Sequence, residues 1–280
     1  MSDLIVDVRD GVATLTIDRE AERNTVGGTL FRELLEASES LENDDAVRAV
    51  VVTAHGPFWC SSSDVENLGE WVGRPVDDLL HDPDFAGDMG LPVLSEQARR
   101  FDRLGIGRWV LRFSAIQKPL IAAMNGSAAA GGLSLALLHD VRIAAEGARF
   151  RSGFLSVGVG PEMGLSWTLP RVVGVPMATR MMLEDVTLDA AAALECGLVH
   201  RVLPADQVLP AAQELAARLA AAPPLAVRAT IRALRTTGSA TFEQQLSLEW
   251  DNQRICIPSK DAQRALHALL AKEPTEYTGE

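Results

Sequence analysis

The chain is poor in the residues that staple a fold or ligate a metal. It holds three cysteines and five histidines. Cys60, Cys196 and Cys256 are odd in number, widely spaced and without a CxxC or Cys/His repeat, so they imply neither disulfides nor zinc. His55, His81, His200 and His267 have no metal-like spacing and read as ordinary loop or surface residues. No GxGxxG and no Walker loop occurs, so a nicotinamide or ATP cofactor has no support. Positive charge is scarce: 26 Lys and Arg against 38 Asp and Glu leave a net charge of −12. Nucleic acid and anionic membranes would be repelled at long range, so neither is expected as a partner. The N-terminal residues alternate like a strand and lack the basic and apolar regions of a signal peptide, and the unpaired cysteines suit a reducing cytoplasm. One long uncharged stretch, 119–138, is interrupted by Asn125-Gly126 and Gly131-Gly132. It reads as strand, turn and buried helix rather than as a membrane span.

What is present is enough apolar residue, 47% of 280, to fill a sizeable core. Residues 4–8 and 12–17 alternate around Asp10-Gly11, a two-residue hairpin signature. Leu30, Leu34, Leu35, Ala37 and Leu41 recur at helical spacing, and 47–53 follows as an apolar strand. Residues 120–124 and 141–145 read as buried strands separated by a helix over 132–138, which points to an α/β layered core. Beyond about 205 the pattern becomes helical: 208–221, 225–235, 241–254 and 261–271, with breaks at Pro223-Pro224 and Pro258. The expected organisation is a core over 1–204 and a helical C-terminal region over 205–280. An acidic excursion spans about 65–117. Between Asp64 and Asp102 ten acids face Arg74, Arg99 and Arg100, and Trp71, Phe85, Met89, Leu91 and Phe101 within it either face a ligand or anchor the segment to the core.

Three segments carry chemistry. The first is Gly56-Pro-Phe-Trp-Cys-Ser-Ser-Ser-Asp64. The second runs from Lys118 through Asn125-Gly126 and Gly131-Gly132 to Asp140. The third is Val157-Gly-Val-Gly-Pro-Glu-Met-Gly-Leu-Ser-Trp-Thr-Leu-Pro-Arg-Val-Val-Gly174, followed by Ala191-Ala-Ala-Leu-Glu-Cys-Gly-Leu-Val199. In order and spacing these resemble the crotonase (enoyl-CoA hydratase/isomerase) family over most of the chain, with Ser61-Ser62 in place of the usual Ala-Gly pair. The resemblance implies a spiral of ββα turns with a helical tail, an acyl-CoA thioester as substrate with coenzyme A arriving as part of it, no separate cofactor, and assembly into homotrimers or pairs of trimers. It places the donors to the thioester oxygen at the N–H groups of Ser63 and Gly131. A thioester enolate is held by such preorganised donors, and Gly131 also opens a helix whose positive end would face the charge. The alternative is that Gly131-Gly132 only permits tight helix–strand packing. Ser61, Ser62, Asp64, Gly132, Ser134, Phe154 and Trp167 are the expected substrate-contacting set, although Asp64 better suits bracing its own loop, and Ser134 bonding the preceding turn.

The carboxylates depart from the hydratase pattern. The two positions where the resemblance expects glutamates hold Ser134 and Phe154, whereas Glu162 falls where related dienoyl-CoA isomerases and aryl-CoA dehalogenases place a functional Asp. Glu162 is therefore the expected acid/base, its pKa raised if it is buried beside Phe154 and Trp167. It can also be read as an acid in a helix's first turn. His139 lies about 140° round the same helix from Ser134, which argues against a serine hydrolase dyad. Arg228, Arg232 and Arg235 form a basic stripe that either meets the phosphates of CoA or pairs with nearby acids. Besides double-bond isomerisation and hydration, the residues leave open a hydrolase or dehalogenase using Glu162 as nucleophile, and a non-catalytic acyl-CoA binder.

Overall fold

The computed structural model describes residues 2–27, 29–62, 69, 72–75, 78–79, 82–88, 90–92 and 94–280. β1 (Leu4–Arg9) and β2 (Val12–Ile17) form an antiparallel hairpin in full register. Asp10 and Gly11 both take positive φ, 50° and 78°, as the tight turn of an Asp-Gly hairpin requires. α1 (Leu30–Glu42) then lays Leu30, Phe31, Leu34, Leu35 and Leu41 into the core.

From there the chain spirals. A long strand in one sheet is followed by a short strand in a second and then by helix. β3 (Ala49–Ala54) leads to β4 (Phe58–Cys60). After the excursion, with α2 (Pro83–Asp88), α3 (Glu96–Arg100) and α4 (Gly107–Ser114), β5 (Leu120–Met124) leads to β6 (Ser127–Ala129) and α5 (Gly131–Leu137). β7 (Val141–Ala145) leads to β8 (Arg149–Arg151) and α6 (Leu165–Leu183). β9 (Leu188–Asp189), α7 (Ala190–Glu195) and β10 (Arg201–Leu203) close the last turn. The large sheet runs β1-β2-β3-β5-β7-β10 and the small one β4-β6-β8-β9. Each turn advances one strand along both sheets, and β2-β3-β5-β7 and β4-β6-β8 are parallel. This is the ββα spiral that the resemblance implies.

The central strands β3 and β5 read as nearly unbroken apolar runs because both faces are buried. Val50, Val52, Leu120, Ala122 and Met124 point into the main core. Ala49, Val51, Ile121, Ala123 and Ile143 point the other way, onto Val208, Ala212, Ala216 and Ala220 of α8 (Ala205–Ala220). Those four residues recur every fourth position, one stripe of a helix. α9 (Pro224–Thr236), α10 (Phe242–Cys256) and α11 (Lys260–Ala271) complete the helical region. In the excursion Phe85 and Leu91 pack on the core while Phe101 is exposed. Trp71 and Met89 lie outside the described residues.

Candidate active site

The site is organised by α5, which the turn after β6 delivers into the core. All its residues are buried. Ala130, its N-cap, sits at φ 45° and ψ −117°, a conformation that costs a residue with a Cβ about 1–3 kcal/mol and is kept only where neighbours enforce it. The enforcing contact is Ala130 N–H donating to the Arg151 carbonyl (3.1 Å). Arg151 is in turn paired with Asp185, which also accepts the Gly153 N–H (3.0 Å). The first intrahelical bond runs from Ser134 N–H to Ala130 O (2.9 Å). The N–H groups of Gly131, Gly132 and Leu133 make no backbone hydrogen bond among the described residues. They are the donors that a helix start leaves without an intrahelical acceptor.

Gly132 has a packing role. A Cβ there would lie 2.1 Å from the Cys60 carbonyl oxygen and 2.8 Å from its Cβ, and one on Gly126 would lie 2.0 Å from the Pro57 oxygen. Both glycines let the second spiral turn close onto β4, the strand that carries the first motif. Past β4, Ser61 N–H donates to Arg23 O (3.2 Å), and Ser62 O, in a residue at φ 123°, accepts from Val26 N–H (2.7 Å). Ser63 and Asp64 lie outside the described residues.

Glu162 stands in a turn of two left-handed residues, Met163 (φ 51°) and Gly164 (φ 78°). Gly164 is the N-cap of α6, which begins at Leu165, so Glu162 is outside the first helical turn and the helix-start reading fails. Its carbonyl accepts two hydrogen bonds, from Leu165 N–H (3.0 Å) and from the Ser134 hydroxyl (3.2 Å). Ser134 is three residues, about 4.5 Å of rise, from Gly131. The helix that starts with the Gly131 and Gly132 N–H groups therefore also holds the main chain of Glu162, through Ser134. Glu162 is half-buried, and burial pushes its carboxyl above the usual carboxylate range.

The Enoyl-CoA hydratase/isomerase family profile matches residues 7–77 and 103–280, interrupted only within the acidic excursion. The chain belongs to this family. It is 32% identical to the 1,2-epoxyphenylacetyl-CoA isomerase of Escherichia coli over 100% of this chain and 99% of that protein. With the 2,3-dehydroadipyl-CoA hydratase of the same organism it shares 31% identity, each chain fully covered. The crystal structure of an enoyl-CoA hydratase/isomerase from Mycobacterium abscessus superposes with a TM-score of 0.83 at 32% identity, covering 99% of this chain and 100% of the other. The fold is thus the crotonase fold, and the chain is an enzyme of the enoyl-CoA hydratase/isomerase family.

Several expected site residues take other places within this family fold. Ser134 is fully buried and its hydroxyl faces the carbonyls of Ala130 and Glu162, both at 3.2 Å, so main chain rather than substrate occupies it. Phe154 is a core residue, 4% exposed. Trp167 is 53% exposed with the Arg171 guanidinium 3.1 Å above its ring centre. The arginine stripe is not a free basic face. Arg228 donates twice to one Glu42 oxygen (2.7 and 3.0 Å). Arg235 grips both Asp140 oxygens (2.7 and 2.8 Å) and donates to the Ile116 carbonyl. These two tie α9 to the core, and Arg232 is the one of the three whose guanidinium makes no hydrogen bond or ion pair among the described residues. His139 is buried between Trp59 and Phe113 with Nδ1–H donating to Leu135 O (2.9 Å). Burial pushes its pKa down to about 4, so it is a neutral core residue. Ala130, Arg151 and Asp185 carry no local sequence signal, since their partners are remote in the chain. Among the described residues no group of His, Cys, Asp and Glu is placed to hold a metal, and no helix is long and apolar enough to cross a membrane.

Proposed function

We propose that this enzyme moves a carbon–carbon double bond within an unsaturated acyl-CoA thioester, with Glu162 as the single proton carrier and the N–H groups of Gly131 and Ser63 holding the thioester oxygen. The observation that carries the reading is the desolvated Glu162 carboxylate, anchored through its own main chain to the helix that presents the Gly131 N–H. In the ionised form Glu162 takes a proton from a carbon conjugated to the thioester. The electron pair moves onto the carbonyl oxygen as a dienolate, the donors stabilise that charge, and the same carboxylic acid returns the proton at the other end of the conjugated system. No water, oxidant or reductant enters. Ser134 and Phe154 at the two usual glutamate positions favour one-acid chemistry over hydration, which benefits from a second group. The two E. coli relatives are named for one reaction each, an isomerisation and a hydration.

The test is turnover of 2-enoyl-, 3-enoyl- and dienoyl-CoA thioesters with product masses and pH profiles. Isomerisation leaves the mass unchanged, whereas products heavier by one water move the assignment to hydration. Because burial raises the Glu162 pKa, its basic form is lost on acidification at a higher pH than for an ordinary carboxylate. The acidic limb of kcat/KM is expected above the usual glutamate range of about 4.3. A rate flat through that range counts against Glu162 as the base.

The same reading includes assembly into a homotrimer or a pair of trimers in a reducing cytoplasm. Its support is the apolar face left uncovered on the C-terminal helices: Phe242, Leu246 and Trp250 at every fourth position of α10, and Leu266, Leu269 and Leu270 on α11, all exposed. Large apolar side chains exposed at helical spacing mark a contact site. Sedimentation at three or six times the 30.1 kDa chain mass is expected, and a monomer at micromolar concentration would remove this part of the proposal.

A further inference from the structure

Ser134 is a buried polar residue whose bonding exceeds what its helix needs. A serine inside a helix commonly donates to the carbonyl four residues back, and Ser134 Oγ does lie 3.2 Å from Ala130 O. Back-bonding does not account for the second acceptor, Glu162 O, at the same 3.2 Å from a residue 28 positions away. A hydroxyl carries one proton, so the two carbonyls share it. Each belongs to one half of the site. The Ala130 carbonyl is in the same peptide unit as the Gly131 N–H, so a donor on its oxygen polarises that N–H further. The Glu162 carbonyl belongs to the residue that carries the acid, at the head of a turn with two successive left-handed residues.

We infer that Ser134 is a positioning residue that ties the main chain of the proton carrier to the peptide presenting the oxyanion donor, fixing the distance between base and enolate oxygen. This rests on the proposed roles of Glu162 and Gly131. It differs from a packing role, because a filler of equal volume would serve packing and only a donor serves the tie.

The experiment compares Ser134→Ala and the near-isosteric Ser134→Cys, a weak donor, in the wild-type and Glu162→Gln backgrounds. kcat, KM and the pH profile are read separately, with thermal melts alongside. Ser134→Ala is expected to lower kcat about tenfold, the equivalent of one buried hydrogen bond, and to leave KM within about twofold. Its acidic limb is expected at lower pH than in wild type, because a released turn lets water reach the carboxylate. Ser134→Cys is expected to recover less than half of the loss on a logarithmic scale, and it carries the test alone if the alanine variant does not fold. In the Glu162→Gln background the loss is smaller, since the tie itself stays intact but no proton carrier is left for it to position, and only its effect on the Gly131 peptide counts. The inference is overturned if Ser134→Ala keeps both kcat and the acidic limb, if Ser134→Cys restores the full rate, or if the fold loss is equal in both backgrounds. A wild-type rate in Glu162→Gln by itself sinks the proposed function instead, so the two failures are distinguishable.

Discussion

Glu162→Gln is expected to lower kcat by on the order of 10³-fold, within the range that one positioned acid/base supplies, while KM for the thioester changes by less than about threefold. Glutamine keeps the size of the side chain. It also leaves untouched the two hydrogen bonds that hold this turn, since both end on the main-chain carbonyl. What it removes is the ability to take and return a proton. Stability is expected to move the other way. The folded-state pKa of Glu162 is raised by burial, so the folded protein holds this proton at pH values where the unfolded chain has released it. The group's stabilising contribution is complete below its unfolded pKa and is lost as pH rises through the higher folded value. At neutral pH wild type therefore carries the cost of a desolvated charge that glutamine does not. The melting temperature of Glu162→Gln is expected at or above that of wild type, by on the order of 1–3 °C. Steady-state kinetics and melts on the same preparations check both halves. A variant that retains wild-type kcat leaves Glu162 as a structural acid and removes the mechanism.

Gly132→Ala is expected to destabilise the protein by about 3 kcal/mol or more, a fall in melting temperature of about 6–12 °C for a chain of this size. The new methyl would meet Cys60 backbone at 2.1 Å and 2.8 Å, and backbone inside a parallel sheet cannot swing aside as a flexible side chain does. Either α5 or β4 must retreat. Both carry parts of the site: α5 presents the Gly131 N–H and holds Ser134, while β4 leads into Ser61 and Ser62. The remaining folded fraction is therefore expected to lose more than tenfold in kcat. Gly147→Ala is the control, because a Cβ at Gly147 meets nothing within 4 Å and its φ is not positive. It should melt within about 2 °C of wild type. Equal melting of Gly132→Ala and Gly147→Ala would show that the helix–strand contact tolerates expansion.

The sequence alone determined whatever repeats within a few residues. Asp10-Gly11 specified a hairpin because only residues tolerant of positive φ make that turn. The strands at Leu120–Met124 and Val141–Ala145 were legible as continuous apolar runs, and the C-terminal helices as residues recurring every third or fourth position. Glu162 was legible as a carboxylate at a position the family resemblance marks. β4, β6, β8 and β9 were not, being two or three residues long, too short for an alternation to register.

Only the tertiary structure decided what the polar side chains do, because their partners are far away in the chain. The arginine stripe on α9 is periodic in sequence, yet Glu42 lies 186 residues from Arg228 and Asp140 lies 95 from Arg235. No local pattern distinguishes an arginine held by such acids from one free to meet a phosphate. Trp167 follows Glu162 closely in sequence, but the start of α6 at Leu165 leaves it exposed beneath Arg171. Ser134 belongs to a helix the sequence announces, and its second acceptor is reached only when the third spiral turn folds back over α5. Periodicity reports which face of an element is buried. Which remote carbonyl or carboxylate waits on that face follows from how the elements pack.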